Sequence, residues 1–174
     1  METPGCGLEI ERKYLIAFPD EAALLREAGC VKVSMKQVYL TRKETGVSRR
    51  ARRWEENGKV DYRYTEKRRI SAVTREENER EISREEFEQF LNEADPACRV
   101  IEKTRYRIPY GGLLVEIDIF PFWKRQALLE VELESEQQAV CLPPYVTVLR
   151  EVTEDESYTN RSIAREIPAE ESFL

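Results

Sequence analysis

The sequence predicts an antiparallel α+β fold, with a closed barrel as one arrangement of its strands. Three observations predict it. Candidate strands follow one another at hairpin spacing, helical signals are confined to a few short stretches, and most strands alternate charged with apolar residues. A length of 174 residues suits a single domain over residues 1–174 with a core of its own.

Pro4, Gly5 and Gly7 suggest a loose start. Residues 8–16 then place Glu9, Glu11 and Lys13 on one face of a strand and Ile10 and Tyr14 on the other. Residues 19–29 predict a short helix, with Asp20 and Glu21 in its first turn and Gly29 closing it. Strands follow at 31–40, 47–54 and 60–69, the last two joined by the turn Glu56-Asn57-Gly58-Lys59. Residues 76–82 form a strand of unusual acidity. Ser83 and Glu86 have capping-box spacing, and Phe87, Phe90 and Leu91 give the next helix its apolar face before Asp95-Pro96 ends it. Three more strands occupy 100–109, 113–120 and 127–134, with Gly111-Gly112 as a hairpin turn. Pro143-Pro144 interrupts the chain, and 160–166 predicts a final short helix before Pro168.

Composition excludes several functions. The formal net charge of −6 argues against general binding to nucleic acid or an anionic membrane. No apolar run approaches membrane-spanning length, and residues 1–8 lack the basic and apolar regions of a signal peptide, so a cytoplasmic protein is expected. Cys6, Cys30, Cys98 and Cys141 are too scattered for a zinc site and read as buried free thiols. Histidine is absent, which removes imidazole catalysis and histidine metal ligands and leaves carboxylates, lysine and arginine for any chemistry.

Those charges are arranged in blocks. Glu9, Glu11 and Lys13 share one face, as do Arg50 and Arg52, then Thr65, Lys67 and Arg69. Glu77, Glu79 and Glu81 follow, then Lys103, Arg105 and Arg107, Glu116 and Asp118, and finally Glu130, Glu132 and Glu134. Alternating charge is ordinary on a solvated sheet face, but such faces mix signs, whereas several of these carry one sign only. Like charges on one face repel unless something of opposite charge relieves them. Turned inward in a barrel, they would set an acidic patch against a basic patch. Carboxylate oxygens without histidine or a cysteine cluster suit Mg²⁺ or Mn²⁺, and clustered lysine and arginine suit phosphate oxygens. A metal–polyphosphate complex satisfies both. Neither Gly-x-x-x-x-Gly-Lys-Ser/Thr nor Gly-x-Gly-x-x-Gly occurs, so a glycine-rich phosphate cradle is not the route.

The order of these residues resembles the CYTH superfamily, the triphosphate tunnel metalloenzymes. Glu9-x-Glu11-x-Lys13 is its signature, followed by Gln37-x-Tyr39-Leu40, Arg50-x-Arg52, Thr65-x-Lys67 and Arg75-x-Glu77-x-Glu79-x-x-Ile82. Lys103-x-Arg105, Glu116-x-Asp118-x-Phe120, Glu130-Val131-Glu132-Leu133, Glu151-Val152-Thr153 and Tyr158-x-Asn160 complete it. The likeness covers about residues 8–165, leaving 1–7 and 168–174 as loose termini.

The resemblance implies a closed antiparallel barrel of about eight strands forming a tunnel, with a few helices outside. It implies metal-dependent hydrolysis of a triphosphate, inorganic triphosphate first, inside that tunnel. Carried across by position, Glu9, Glu11, Glu130 and Glu132 are the leading metal ligands, with Glu116 and Asp118 as further ones. Glu77 and Glu79 join them as acidic tunnel residues. Lys13, Arg50, Arg52, Lys67, Arg75, Lys103 and Arg105 would grip phosphate. Glu9, Glu11, Lys13 and Glu77 are the catalytic set, Glu77 as a candidate for orienting the attacking water, while Arg69, Arg107, Glu81 and Glu134, supported by face alternation alone, are either tunnel residues or rim or surface positions. The alternatives are an adenylyl cyclase of the same superfamily, a thiamine triphosphatase, and a non-catalytic polyphosphate-binding module. The expected partner is a small triphosphate, without nucleic acid or membrane. A homodimer is in keeping with the family, and Leu142-Pro143-Pro144-Tyr145-Val146 is either an interface or a segment packed on the barrel. Where relatives often have a glycine-containing turn, this chain has Pro121-Phe122-Trp123-Lys124-Arg125, expected near a tunnel mouth. Trp54 and Trp123 could stack on an organic group, although packing is the commoner role of tryptophan.

Overall fold

The computed structural model describes residues 5–171, with side chains from residue 7 onward. In chain order its elements are β1 (Gly5–Ala17), α1 (Glu21–Arg26), β2 (Val31–Leu40), β3 (Val47–Glu56), β4 (Lys59–Arg69) and β5 (Thr74–Ile82). Then come α2 (Arg84–Phe90), β6 (Ile101–Tyr110), β7 (Leu113–Ile119), β8 (Gln126–Glu132), β9 (Val148–Glu151) and α3 (Asn160–Arg165). All pairings are antiparallel in the order β5-β4-β3-β2-β6-β7-β8-β1, and β1 pairs back to β5 to close an eight-stranded barrel. Closure leaves no free edge around most of the sheet.

β1 makes the closure possible by its length. Residues 5–10 pair with β5, residues 11–17 pair with β8, and β9 takes over the vacated edge at Tyr14 to Ile16. β9 was not among the expected strands because four residues with no clean alternation carry little signal. The glycine-rich start also differs from expectation: Gly5 and Gly7 belong to the ladder, opposite Glu79 and Glu77. Backbone pairing there is indifferent to the missing side chains. At the other end, residues 168–171 are tied down. Trp123 Nε1 donates to the Pro168 carbonyl at 3.0 Å, and Glu171 N–H donates to Gln126 Oε1 at 2.9 Å.

Local chemistry sets the helices. Asp20 stands outside α1 as its N-cap and accepts from Ala22 and Ala23 N–H at 3.0 and 3.2 Å, so the helix is shorter than 19–29. The Ser83–Glu86 capping box is present in both directions. Gly111 and Gly112 both have positive φ, as the tight β6–β7 turn requires.

The barrel has apolar material on both sides of its wall. Outside, Tyr106, Ile117, Leu129 and Val131 are covered by Leu24 of α1 and by Val140, Leu142, Tyr145 and Val146. The 142–146 segment therefore packs on the barrel. On the opposite flank Ala51, Ile82, Tyr62 and Tyr64 lie beneath Phe87 and Phe90 of α2. Inside, Leu15, Tyr39, Ile101, Phe120 and Leu128 meet Trp123, Tyr158, Ile163 and Ala164 and form an apolar floor under α3. Val33, Met35 and Trp54 form a smaller apolar zone in β2 and β3. Cys30 and Cys98 are half-buried free thiols; Cys141 is exposed, on the loop outside the barrel, rather than buried as expected. The side chain of Cys6 lies outside the described residues.

Leu15 is fully buried in the floor, on the same strand face as Glu11 and Lys13. Leu15→Ala is expected to cost about 3 kcal/mol through lost burial and a residual cavity, read as a lower urea midpoint with an unchanged slope.

Candidate active site

Strand alternation turns the charged blocks inward. From β1, Glu11 and Lys13 are buried; from β3, Arg50 and Arg52; from β6, Lys103 and Arg105; from β7, Glu116 and Asp118; from β8, Glu130. Register sets acids against bases. Lys13 faces Glu130, Arg105 faces Asp118 and Lys67 faces Glu77, whereas Glu11 faces another acid, Glu132.

Two adjoining cavities occupy the interior. The first, of about 370 Å³, is mostly basic and includes Lys13, Arg42, Thr65, Arg69, Arg75 and Arg161. The second, of about 210 Å³, is rich in acid, with Glu9, Glu77, Glu79, Glu116, Glu130 and Glu132 beside Arg52, Arg63, Arg105 and Arg107. Glu11, Arg50, Lys67 and Asn160 line both and mark the waist between them.

Most of the charges are paired. Lys67 Nζ donates to both oxygens of Glu9 at 2.9 and 2.7 Å, and lies 3.9 Å from Glu77. Lys13 Nζ is 3.0 Å from Glu130 and donates to the Tyr158 carbonyl at 3.2 Å. Arg52 meets Glu79 at 2.5 Å, and Arg75 lies 3.6 Å from Glu11. Among the buried charges Arg50 is the exception. It stands in no ion pair among the described residues, and its Nε is buried without a hydrogen-bond partner.

Protonation follows this pairing. Burial works against the Glu9 anion, but Lys67 and Arg50 hold its carboxyl below the usual range. Glu130 is held well below it by Lys13, Arg105 and Lys103 despite complete burial. Glu11 goes the other way: burial, then the negative charges of Glu130 and Glu9, push it up to about 7. Burial and Glu9 also raise Glu77, against the pull of Lys67. Arg52 is lowered to about 10 by burial and by its neighbour Arg50.

Lys103 and Asp118 differ from expectation. They reach neither cavity, because Lys103 Nζ bonds Asp118 at 2.6 Å with both side chains sealed from solvent. Asp118 also accepts two bonds from Arg105 at 2.7 and 2.8 Å. Arg105 reaches on to Glu130 at 3.0 Å and Glu116 at 3.2 Å. The pair thus backs Arg105 rather than facing the lumen. Burial and Arg105 lower the Lys103 ammonium to about 8.

The turn at 121–125 also lies away from the cavities. Trp123 stacks edge-on against Phe120 and Phe122 in the floor. Trp54 is buried under Arg63, whose guanidinium sits 4.2 Å from the ring centre. Glu81 and Glu134 face solvent, while Arg69 and Arg107 lie at the rims. Among lining residues the sequence reading did not single out, Arg63 shares the alternation of Thr65 and Lys67 and was findable by it. Arg42 and Arg161 come from a loop and a helix, where no alternation points inward.

Comparison with known proteins decides the family. The chain is 35% identical over 164 residues to an inorganic triphosphatase of Nitrosomonas europaea, covering 92% of this chain and 99% of the relative. The chain belongs to the CYTH superfamily, the triphosphate tunnel metalloenzymes. The solved structure of an inorganic triphosphatase is similar to this CYTH protein at 33% identity and a TM-score of 0.57, over 97% of this chain and 99% of that one. A Hippeastrum protein described by its dominant triphosphatase activity shares the fold at 15% identity and a TM-score of 0.51, over 73% and 80% of the two chains. No protein-family model matches the chain. Among the described residues no helix is long and apolar enough to cross a membrane.

The Glu11 carboxyl titrates near 7 in the folded CYTH chain against 4.5 ordinarily. Its contribution therefore favours the fold below about pH 4.5 and is lost as pH rises through 7. Glu11→Gln cannot ionise. In metal-free protein it is expected to raise the thermal midpoint over wild type by about 5 °C at pH 8 and by little at pH 4.5. Equal midpoints across this range would remove the account of Glu11 as a carboxyl raised by burial and like charge.

Proposed function

We propose that this protein hydrolyses inorganic triphosphate to diphosphate and phosphate, with a divalent cation, Mg²⁺ or Mn²⁺, held by its glutamates. The observation that carries the reading is Arg50, a buried guanidinium at the waist with no ion pair among the described residues. Glu77, Glu9 and Glu79 favour its charge only from beyond ion-pair distance, so an anion in direct contact would complete it. A phosphate chain laid through the waist would meet Arg50 together with Lys67, Lys13, Arg52 and Arg75. The 35% identity to an inorganic triphosphatase supports the same substrate class.

The donor set fits a hard divalent ion. Glu9, Glu11, Glu130 and Glu132 supply only carboxylate oxygens from adjoining strands, and burial together with the charges of Glu130 and Glu9 already raises Glu11. Among the described residues no three carboxylates are converged into a ready-made ion site, since Glu9 and Glu130 are turned to lysines. These four glutamates, with Glu116 beside them, are our choice of ligands. A divalent ion bound there would neutralise phosphoryl oxygens and lower the pKa of a bound water.

The chain's own residues supply the rest. Arg50, Arg52, Lys67, Lys13 and Arg75 offset negative charge on the phosphoryl and leaving groups. Water attacks the terminal phosphorus, the bridging P–O bond breaks with its electron pair on diphosphate, and the water's proton passes to a carboxylate. Glu77 is our choice for that acceptor, because it lines the acid-rich cavity and a raised carboxyl is a stronger base than an ordinary one. Arg105 is a positioning residue, braced by Asp118 and Lys103 against Glu130 and Glu116. We take the cytoplasm as the compartment, in keeping with free thiols at Cys30, Cys98 and Cys141.

The test is phosphate release from inorganic triphosphate, ATP and thiamine triphosphate with Mg²⁺ or Mn²⁺, beside a Glu9→Gln/Glu11→Gln double variant. Metal-dependent release from inorganic triphosphate, abolished in the variant, is expected; cyclic AMP from ATP, or binding without turnover, would replace the reading. Arg50→Met should lower kcat/KM by about a hundredfold to a thousandfold. It should move the ligand-free thermal midpoint only modestly, because no close ion pair is lost, although Glu9, Glu77 and Glu79 lose a longer-range partner. Full turnover in Arg50→Met would contradict the role given to Arg50.

A further inference from the structure

Asn160 is the neutral member of the four residues that line both cavities, beside Glu11, Arg50 and Lys67. It is the first residue of α3, and the backbone on either side of it is bolted in place. Lys13 Nζ donates to the Tyr158 carbonyl at 3.2 Å, and Thr159 caps the helix by accepting from Ser162 N–H at 3.1 Å. Arg161 donates to the Leu40 carbonyl at 3.1 Å and to Asp95 at 2.7 Å. The side chain of Asn160 takes no part in this anchoring. Its Oδ1 is buried without a partner, and no hydrogen bond from its amide nitrogen is made within the described residues.

That arrangement is unusual for asparagine. Near a helix start its ordinary use is to cap, and Thr159 already holds the cap. Buried polar atoms are normally satisfied, and an Oδ1 left open on a half-buried asparagine asks for an explanation. Here the group stands at a waist walled by cations and carboxylates, fixed from behind by Lys13 and Arg161. A carboxamide offers two N–H donors and stays neutral at every pH. It can bond a phosphoryl oxygen without adding charge beside Arg50 and Lys67, and its two ends exchange by a half-turn.

We propose that Asn160 is a substrate-contacting residue whose carboxamide donates a hydrogen bond to a phosphoryl oxygen at the waist. This rests on the triphosphate reading above. It also gives α3 a purpose beyond closing the floor: the helix delivers a neutral polar contact to the waist, whose other lining residues, Glu11, Arg50 and Lys67, come from strands. Asn160→Ala removes the donor, and Asn160→Asp replaces it with a like-sized anion that repels phosphate.

The experiment compares wild type, Asn160→Ala, Asn160→Asp and an Arg165→Ala control on the exposed face of the same helix. Each is measured for turnover of inorganic triphosphate with Mg²⁺, for calorimetric binding of inorganic triphosphate without metal, and for thermal midpoint. Asn160→Ala is expected to lose about tenfold to a hundredfold in kcat/KM and to bind more weakly, with Asn160→Asp worse than alanine and the midpoints near wild type. Arg165→Ala should match wild type. Wild-type kinetics and binding in both Asn160 variants would overturn the inference while leaving the triphosphatase reading intact. If wild type binds triphosphate without hydrolysing it, the functional reading fails alone, and weaker binding by Asn160→Ala still supports the contact. Loss of activity in both variants with midpoints lowered in parallel and unchanged affinity would assign Asn160 to folding and overturn the proposal. Absence of triphosphate binding by wild type would overturn both.

Discussion

Charges enclosed in a barrel must be neutralised by the neighbouring strands, and the rest of this structure depends on that requirement. A continuous chain of contacts shows how it is met. Lys103 holds Asp118, Asp118 holds Arg105, Arg105 holds Glu130, and Glu130 faces Lys13, which reaches the Tyr158 carbonyl. The chain runs through β6, β7, β8 and β1 and ends at the approach to α3. A slip of one residue in any of these strands would turn its acids and bases to the apolar outer face. The ion pairs and the outer core thus specify the same register, which is the consistency a single native fold requires.

The same requirement divides the interior. Apolar residues from β1, β2, β6, β7 and β8 make a floor beneath α3, and Val33, Met35 and Trp54 make a second apolar zone. Charge is confined to the part between, where one cavity is dominated by bases and the other is rich in acids. Neutralisation is nearly complete there. Among what remains are Arg50 without a close carboxylate partner, Glu11 with a carboxyl lifted by burial and then by its neighbours, and Asn160 Oδ1 without a partner. All three stand at the waist. Those residual mismatches, rather than the number of charges, indicate what a ligand must bring: anionic oxygens for one side and a cation for the other.

Much of this was legible in the chain. Period-two alternation placed Glu9, Glu11, Lys13, Arg50, Arg52, Lys67 and Glu130 on inward faces, since a strand has only two faces and the apolar one must meet a core. The same rule cannot say how deep an inward side chain sits. Lys103 and Asp118 alternate as the others do, yet they close on each other behind Arg105 and leave the lumen. Nor does alternation reach residues delivered by non-strand segments: Arg42, Arg161 and Asn160 enter from a loop and a helix. β9 was hidden because its pairing with β1 exists only once β5 has left that edge. The turn at 121–125 was expected near a mouth from the topology that the family resemblance implies, but Trp123 packs in the floor with Phe120 and Tyr158.

The most direct test of the central claim is the thermal midpoint of wild-type protein with Mg²⁺ alone, inorganic triphosphate alone, and both together. Each ligand by itself must pull its residues away from partners of opposite sign: the cation frees lysines from Glu9 and Glu130, and the anion frees the carboxylates. Each then leaves what the other needs, so their effects are coupled. The account predicts that the two together raise the midpoint by more than the sum of their separate shifts, after allowance for their association in solution. Additive shifts, or stabilisation by triphosphate that Mg²⁺ does not change, would contradict it.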